Sequence, residues 1–361
     1  MAPPDVSLPA YARQTELQKK DQSAWSVQSL SDSGIKEVPK EYVQPIREEF
    51  TFPVCDEEGI DIPVINYTEL QAGSVEEEEK FLDACEKWGF FQLANHGISE
   101  DLVVKTQHVA KEFFYLPPED KKKYIASNPD SVAVGYGRIN FLTDDCPPDW
   151  ADSLVIDADS NTDISTWPSK PEDYRKTMLQ YSKETTALGF KLLSIITRSL
   201  GLPEDYVDTN FGEVGMQLSA NFYPRCPQPE LVFGLSPHSD PQFITLLLQD
   251  MEGLHVLRDE RWILVKQRHN HFVVNLGDQT EILSNGKYKS TLHRAVVNNK
   301  RDRLSLSAFL RPPLDSYVGP AAQIIDDDHP PKYQTVKYGD FLGYSSAYGS
   351  LGKRNLDSRK L

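Results

Sequence analysis

His238 and Asp240 lie two residues apart in LVFGLSPHSD, and His293 follows 55 residues after the first histidine, in STLHRAVV. Two imidazoles and one carboxylate form a ligand set for a divalent metal. Set on one face of an octahedral ion they leave three positions open, an arrangement that suits Fe(II) and O2. Zinc is the rival, because three protein ligands plus water also make its catalytic site. Arg303 decides for iron. It stands ten residues past His293, with Ser305 two residues further on. A planar guanidinium grips a carboxylate through two parallel charge-assisted hydrogen bonds, and a hydroxyl at i+2 adds a third donor. The pair fits the far end of a dicarboxylate whose near end chelates the metal. Asn221 and Tyr223 repeat the same spacing on another segment, with Tyr223 placed to donate to the metal-side carboxylate. A His-x-Asp tripeptide alone carries little weight, Arg303 alone reads as a surface cation, and Asn221 alone as an ordinary sheet residue. The weight lies in their joint order within one β-rich stretch. The other histidines, His96, His108, His255, His269, His271 and His329, read as structural.

These pairs need strands to aim them. In a strand, residues i and i+2 share a face, so each pair directs two polar side chains into one cavity while Phe222 and Leu304 turn into the core. Short β-rich runs recur from about residue 215, among them MQLSANFYP, FITLLLQD, HFVVNLGD and RLSLSAFLRPP, with turn residues between them as in an antiparallel barrel. Helical periodicity dominates earlier, longest in PEDYRKTMLQYSKETTALGFKLLSIITRSLGL, and Ser74 is a candidate cap for the helix that begins VEEEEK. The class is α+β, helices first and one β barrel after. The expected divisions are an N-terminal arm over 1–58, a helical region over 59–210, a metal- and cosubstrate-binding core over 211–318 and a C-terminal segment with a helix over 319–361. The loop-rich stretch 138–150, RINFLTDDCPPDW, is a candidate cover for the site.

A formal net charge of −16 over 361 residues repels phosphate backbones and anionic lipid, so neither nucleic acid nor membrane is expected as a partner. The four cysteines form no CxxC pair and read as reduced thiols. The N-terminus has no apolar signal stretch. The terminal Ser358-Arg359-Lys360-Leu361 only loosely matches a peroxisomal address, with Arg359 where a small residue belongs, so the cytoplasm is expected. A monomer acting on a small molecule is the expected state.

Several stretches resemble the plant 2-oxoglutarate/Fe(II)-dependent dioxygenases: IPVINYTEL, WGFFQLANHG, FFYLPPEDKKKY, NFYPRCPQPELVFGLSPHSD, FVVNLGDQTEILSNGKYKSTLHRAV and RLSLSAFLRPP. The resemblance runs from about residue 28 to residue 345. It implies a distorted double-stranded β-helix, or jelly roll, with helices packed on one side. It implies Fe(II) on His238, Asp240 and His293, and 2-oxoglutarate held by Arg303 and Ser305 at its distal carboxylate and by Tyr223 and Asn221 at the other end. O2 is the second cosubstrate and ascorbate the reductant. The implied reaction couples decarboxylation of 2-oxoglutarate to hydroxylation or desaturation of a substrate carbon. The chain is similar to the branch of anthocyanidin synthase, flavonol synthase, flavone synthase I and jasmonate oxidases. Jasmonate oxidases hold the substrate carboxylate with an arginine at the position of Ser219, and anthocyanidin synthase has lysine there and glutamate at the position of Arg311. Both differ here, and a buried carboxylate without a cation is expensive. A neutral substrate, a flavonoid above all, is therefore expected, with Tyr136, Phe309 and Ser219 as pocket residues. The alternatives are a hydroxylase of a hormone such as jasmonate and, in another class, a non-catalytic ligand-binding protein on the same scaffold.

Overall fold

A computed structural model gives the protein's structure over residues 26–45, 51–55, 60–125, 134–138, 147–348 and 352–361. The chain starts with helix α1 (Val27–Asp32), whose N-cap Ser26 accepts from the Ser29 N–H, and strands β1 (Val54–Cys55) and β2 (Val64–Asn66). Helix α2 (Val75–Lys87) forms where the sequence predicts it: Ser74 caps it through the Glu77 N–H, Glu76, Glu77 and Glu78 face its positive end, and Lys87 closes it. Then come β3 (Phe90–Ala94), helix α3 (Glu100–Phe114), β4 (Gly135–Arg138), β5 (Asp152–Asp157) and the long helix α4 (Tyr174–Ser199). The β-rich half holds β6 (Gly215–Tyr223), β7 (Leu235–His238), β8 (Ile244–Gln249), β9 (Leu254–Arg258), β10 (Arg261–Leu264) and β11 (Phe272–Leu276). After it come the short helix α5 (Asp278–Leu283), β12 (His293–Ala295), β13 (Arg303–Arg311) and, near the end, helix α6 (Tyr338–Tyr348).

Two sheets form the jelly roll. The larger runs β2-β3-β11-β8-β13-β6-β5-β4, the smaller β1-β10-β9-β12-β7. Helix α4 packs on β13, β8 and β6, and α3 on α4 and the same sheet, so the helices cover one face of the larger sheet. The helix-rich half also contributes to the barrel: residues 64–66, 90–94, 135–138 and 152–157 supply both flanks of the larger sheet. The physical reason is edge protection, since unpaired strand edges in the central β unit would be exposed without them.

Alternation along β13 separates core from site. Leu304, Leu306, Ala308 and Leu310 enter the main hydrophobic core with Leu188, Leu192 and Ile196 of α4. Each buried leucine contributes roughly 2 kcal/mol. Arg303, Ser305, Ser307 and Phe309 face the other way and line a cavity between the sheets. Strand β6 does the same, with Met216, Leu218, Ala220 and Phe222 in the core and Asn221 and Tyr223 in the cavity. Gly189 lets α4 sit close: a Cβ there would lie 2.8 Å from both methyls of Leu310.

A second cluster joins the N-terminal arm to the barrel. Val27, Val38 and Tyr42 pack with Trp150, Tyr223, Val232 and Ala295. Asp152, fully buried, accepts from Ser26 Oγ at 2.5 Å and from the N–H groups of Val27 and Gln28 at 2.8 and 3.0 Å, which anchors the start of α1. Of the expected cover over 138–150, residues 139–146 lie outside the described residues. Cys55, Cys85 and Cys226 are free thiols. Among the described residues, no helix is long and apolar enough to cross a membrane.

Candidate metal centre and cosubstrate pocket

His293 stands opposite His238 across the β12–β7 ladder. Asp240 lies just past the end of β7, so the His-x-Asp pair is not aimed by strand alternation as the spacing suggests. Other groups aim the carboxylate. Thr245 Oγ1 on β8 and Asn275 Nδ2 on β11 donate to Asp240 Oδ2 at 2.5 and 2.8 Å. Oδ1 is left facing both histidines, 3.5 Å from each Nε2. Each imidazole uses its other nitrogen on a backbone carbonyl: His238 Nδ1 to Ser236 O at 2.8 Å, His293 Nδ1 to Thr291 O at 3.1 Å. With the proton on Nδ1, both Nε2 lone pairs point at one spot. One ligand atom from each of His238, Asp240 and His293 falls within 4.8 Å of the others. The edge of Phe90 closes one side, its ring centroid 5.2 Å from that of His293.

The electrostatics fit a cation. Burial opposes the charge on Asp240, yet His293 and His238 beside it hold its carboxyl well below the usual carboxylate range. Burial likewise opposes charge on His293, and Asp240 outweighs it, so that imidazole is pushed up. Two ring nitrogens and one ionised carboxylate oxygen are a donor set that a divalent ion satisfies.

Arg303 is 2% exposed and has no carboxylate partner among the described residues. Its Nη2 donates to Gln249 Oε1 at 3.1 Å and its Nε to Met251 O at 3.3 Å, while Nη1 is buried with no hydrogen bond. A buried cation without a counter-ion is expensive. A carboxylate entering the cavity would supply that counter-ion. The hydroxyls of Tyr223 and Ser305 lie 3.4 Å apart beside it. The guanidinium, the two hydroxyls and the histidine–carboxylate set all line one cavity.

The other residues singled out from sequence are distributed differently. Asn221 and Phe309 line the cavity. Ser219 Oγ donates to Asn221 Oδ1 at 3.0 Å, so it braces a lining residue. Tyr136 turns away. It pairs with Leu154 across β4–β5 and packs edge-on against Phe113 and Phe114 in the helix-side core, because the register puts it on the same side of the sheet as the core residues Leu154 and Ala220. His96 is buried against Phe272, and His269 reaches Glu100 at the surface. Thr245, Asn275 and Gln249 were not anticipated. Their only sequence signal is a lone polar residue at the inward position of an apolar run, as Asn275 is in FVVNL.

With this geometry in place, residues 214–312 match the model of the 2OG-Fe(II) oxygenase superfamily, and residues 62–177 that of the "non-haem dioxygenase in morphine synthesis N-terminal" region. The chain belongs to the 2OG-Fe(II) oxygenase superfamily and is an Fe(II)- and 2-oxoglutarate-dependent dioxygenase. It is 38% identical over 341 residues to jasmonate-induced oxygenase 4 of Arabidopsis thaliana, covering 92% of this chain and 96% of the relative. It is 36% identical over 335 residues to flavanone 3-dioxygenase 2 of Oryza sativa subsp. japonica, covering 91% and 94%. The crystal structure of JOX2 in complex with 2OG, Fe and JA superposes with a TM-score of 0.85 at 33% identity, covering 93% of this chain and 97% of that one.

Proposed function

We propose that this dioxygenase hydroxylates or desaturates a neutral, aromatic small molecule of the flavonoid type. Bound Fe(II), with 2-oxoglutarate and O2, supplies the oxidant that takes hydrogen from carbon, and succinate and CO2 leave. The chain's own residues do the positioning. His238, Asp240 and His293 hold the metal, with Thr245 and Asn275 fixing the carboxylate. Arg303 and Ser305 donate to the distal carboxylate of 2-oxoglutarate, and Tyr223 and Asn221 serve its other end. Phe309 offers a ring face at the far part of the same β13 row, where a flat polyphenol stacks.

The observation that carries the neutral substrate is the state of Ser219 on β6 and of Arg311 on β13. Ser219 spends its hydroxyl on Asn221, and Arg311 is held by Asp157 and Asp159 at 3.3 and 3.0 Å. At these two positions no unpaired cation is left for a substrate carboxylate. The second reading, oxidation of a jasmonate-like acid, draws support from the similarity to jasmonate-induced oxygenase 4 and to JOX2.

Incubation with naringenin, Fe(II) and 2-oxoglutarate, followed by mass spectrometry, separates the readings. A loss of about 2 Da marks desaturation and a gain of about 16 Da hydroxylation, the two outcomes this oxidant permits. No change in any flavanone, together with turnover of jasmonate, refutes the flavonoid reading.

A further inference from the structure

Strand β7 carries one residue too many. Its Leu235 stands opposite Ala295 and its His238 opposite His293, so two positions of β12 are matched by three steps of β7, and the register shifts between the pairs. The surplus falls at Ser236–Pro237. Pro237 has no N–H, and the bulge takes the Ser236 N–H off the ladder. A bulge of this kind bends a strand and re-aims the residue that follows it. Here that residue is His238.

The stranded N–H is not left unpaired. Asp149, 7% exposed, accepts it on Oδ1 at 2.9 Å and accepts Ser236 Oγ on the same oxygen at 2.5 Å. The carbonyl of the residue so gripped is the one that takes the His238 Nδ1 proton at 2.8 Å. Across the site, Thr291 orients His293 without any such carboxylate: its hydroxyl donates to Trp88 O at 2.6 Å. Among the described residues no lysine or arginine pairs with Asp149. A buried acid with no cation and both donors from one serine is an expensive arrangement for merely tethering a loop. The adjacent tethers of Trp150, its N–H to Phe233 O at 2.7 Å and its Nε1 to Pro224 O at 3.2 Å, already do that.

We propose that Asp149 is a positioning residue for the metal centre, fixing the Ser236–Pro237 bulge and, through the Ser236 carbonyl, the tautomer and aim of His238. This rests on the assignment of His238, Asp240 and His293 as metal ligands.

The test titrates the full metal-free chain with Co(II) alone, following the ligand-field absorption, with thermal unfolding alongside. Asp149→Ala is expected to weaken Co(II) binding about tenfold or more and to alter the visible spectrum, as loss of an outer-sphere partner of a ligand histidine does. Asp149→Asn keeps an acceptor oxygen and is expected to bind within about threefold of wild type. A merely structural role lowers the thermal midpoint but leaves the spectrum of the bound ion unchanged. Asp240→Ala is the control for the ligand assignment: unchanged Co(II) binding there overturns the metal reading itself. If Asp240→Ala loses Co(II) while Asp149→Ala keeps wild-type affinity and spectrum, the positioning role alone is overturned. Failure of Asp149→Asn to recover binding overturns the acceptor role. If Asp149→Ala does not fold, Ser236→Ala decides, with about a threefold loss expected and wild-type affinity and spectrum overturning the proposal.

Discussion

Arg303 and Tyr223 are direct partners across the β13–β6 ladder, and the guanidinium carbon lies 4.7 Å from the centre of the tyrosine ring. The ring gives the cation a polarisable floor, while Gln249 and Met251 hold its rim. The charge is thus fixed in place before a carboxylate arrives, which lowers the ordering needed on binding.

Arg303→Ala is expected to raise the 2-oxoglutarate concentration needed for half-maximal turnover by about a hundredfold, on the scale of a lost charge-assisted pair. Metal binding stays near wild type, because Arg303 touches none of the three ligands. Arg303→Lys keeps the charge but not the planar fork and should fall between the two. An unchanged requirement in the alanine variant places the carboxylate clamp elsewhere.

Asn275→Ala and Thr245→Val each remove one donor from Asp240 Oδ2. Each is expected to weaken metal binding about tenfold or more, and the two together more than either alone. Calorimetric titration with Mn(II) measures this. Wild-type affinity in the double variant means the carboxylate holds its own orientation.

His255 gives a pH dependence with a definite sign. Burial first, then Arg294 and Arg303, pull its pKa from 6.5 down to about 4. The folded state binds fewer protons than the unfolded chain between those values. Its contribution is therefore complete above about pH 6.5 and is lost as pH falls toward 4. Asp149 and Asp278, raised to about 7 by burial, act in the opposite sense and gain stability as pH falls. A difference measurement removes them. Relative to wild type, His255→Gln is expected to gain about 1–2 kcal/mol in urea unfolding between about pH 7 and pH 5. A difference that does not change with pH means His255 titrates normally in the folded protein.

Trp150 links the N-terminal arm to the cosubstrate end of the site. It meets Tyr42 edge-on at 5.2 Å, donates to the Pro224 carbonyl and shares a buried cluster with Tyr223. Trp150→Ala is expected to cost about 3–5 kcal/mol of stability and to raise the 2-oxoglutarate requirement. Tyr42→Ala acts in the same direction from the arm's side. Stability loss in both variants with no change in the 2-oxoglutarate requirement means the arm is packing alone.

What could be read from sequence follows the period of the backbone. Arg303 with Ser305 and Asn221 with Tyr223 sit in strands of nine residues, long enough for alternation to be unambiguous. Asp240 sits beyond a strand of four residues that contains a bulge, so its aim depends on Thr245 and Asn275, contacts that no local pattern announces. Tyr136 shows the converse error. The family resemblance suggested a pocket aromatic at Tyr136, but whether a strand residue faces cavity or core depends on a register set by β5, which the local sequence does not contain. Asp149 was hidden in a loop-rich stretch with no period to read.

The division of labour along β13 limits how such an enzyme can vary. Even-numbered positions from 304 to 310 hold the helices on, and odd-numbered positions from 303 to 309 line the cavity. A single-residue insertion within the strand exchanges the two sets, burying charge and exposing leucine in one step. Diversification is then channelled to side-chain replacement at Ser307 and Phe309, beyond the clamp, and to the loops at the strand ends. The lineage can change what it oxidises far more readily than how it oxidises.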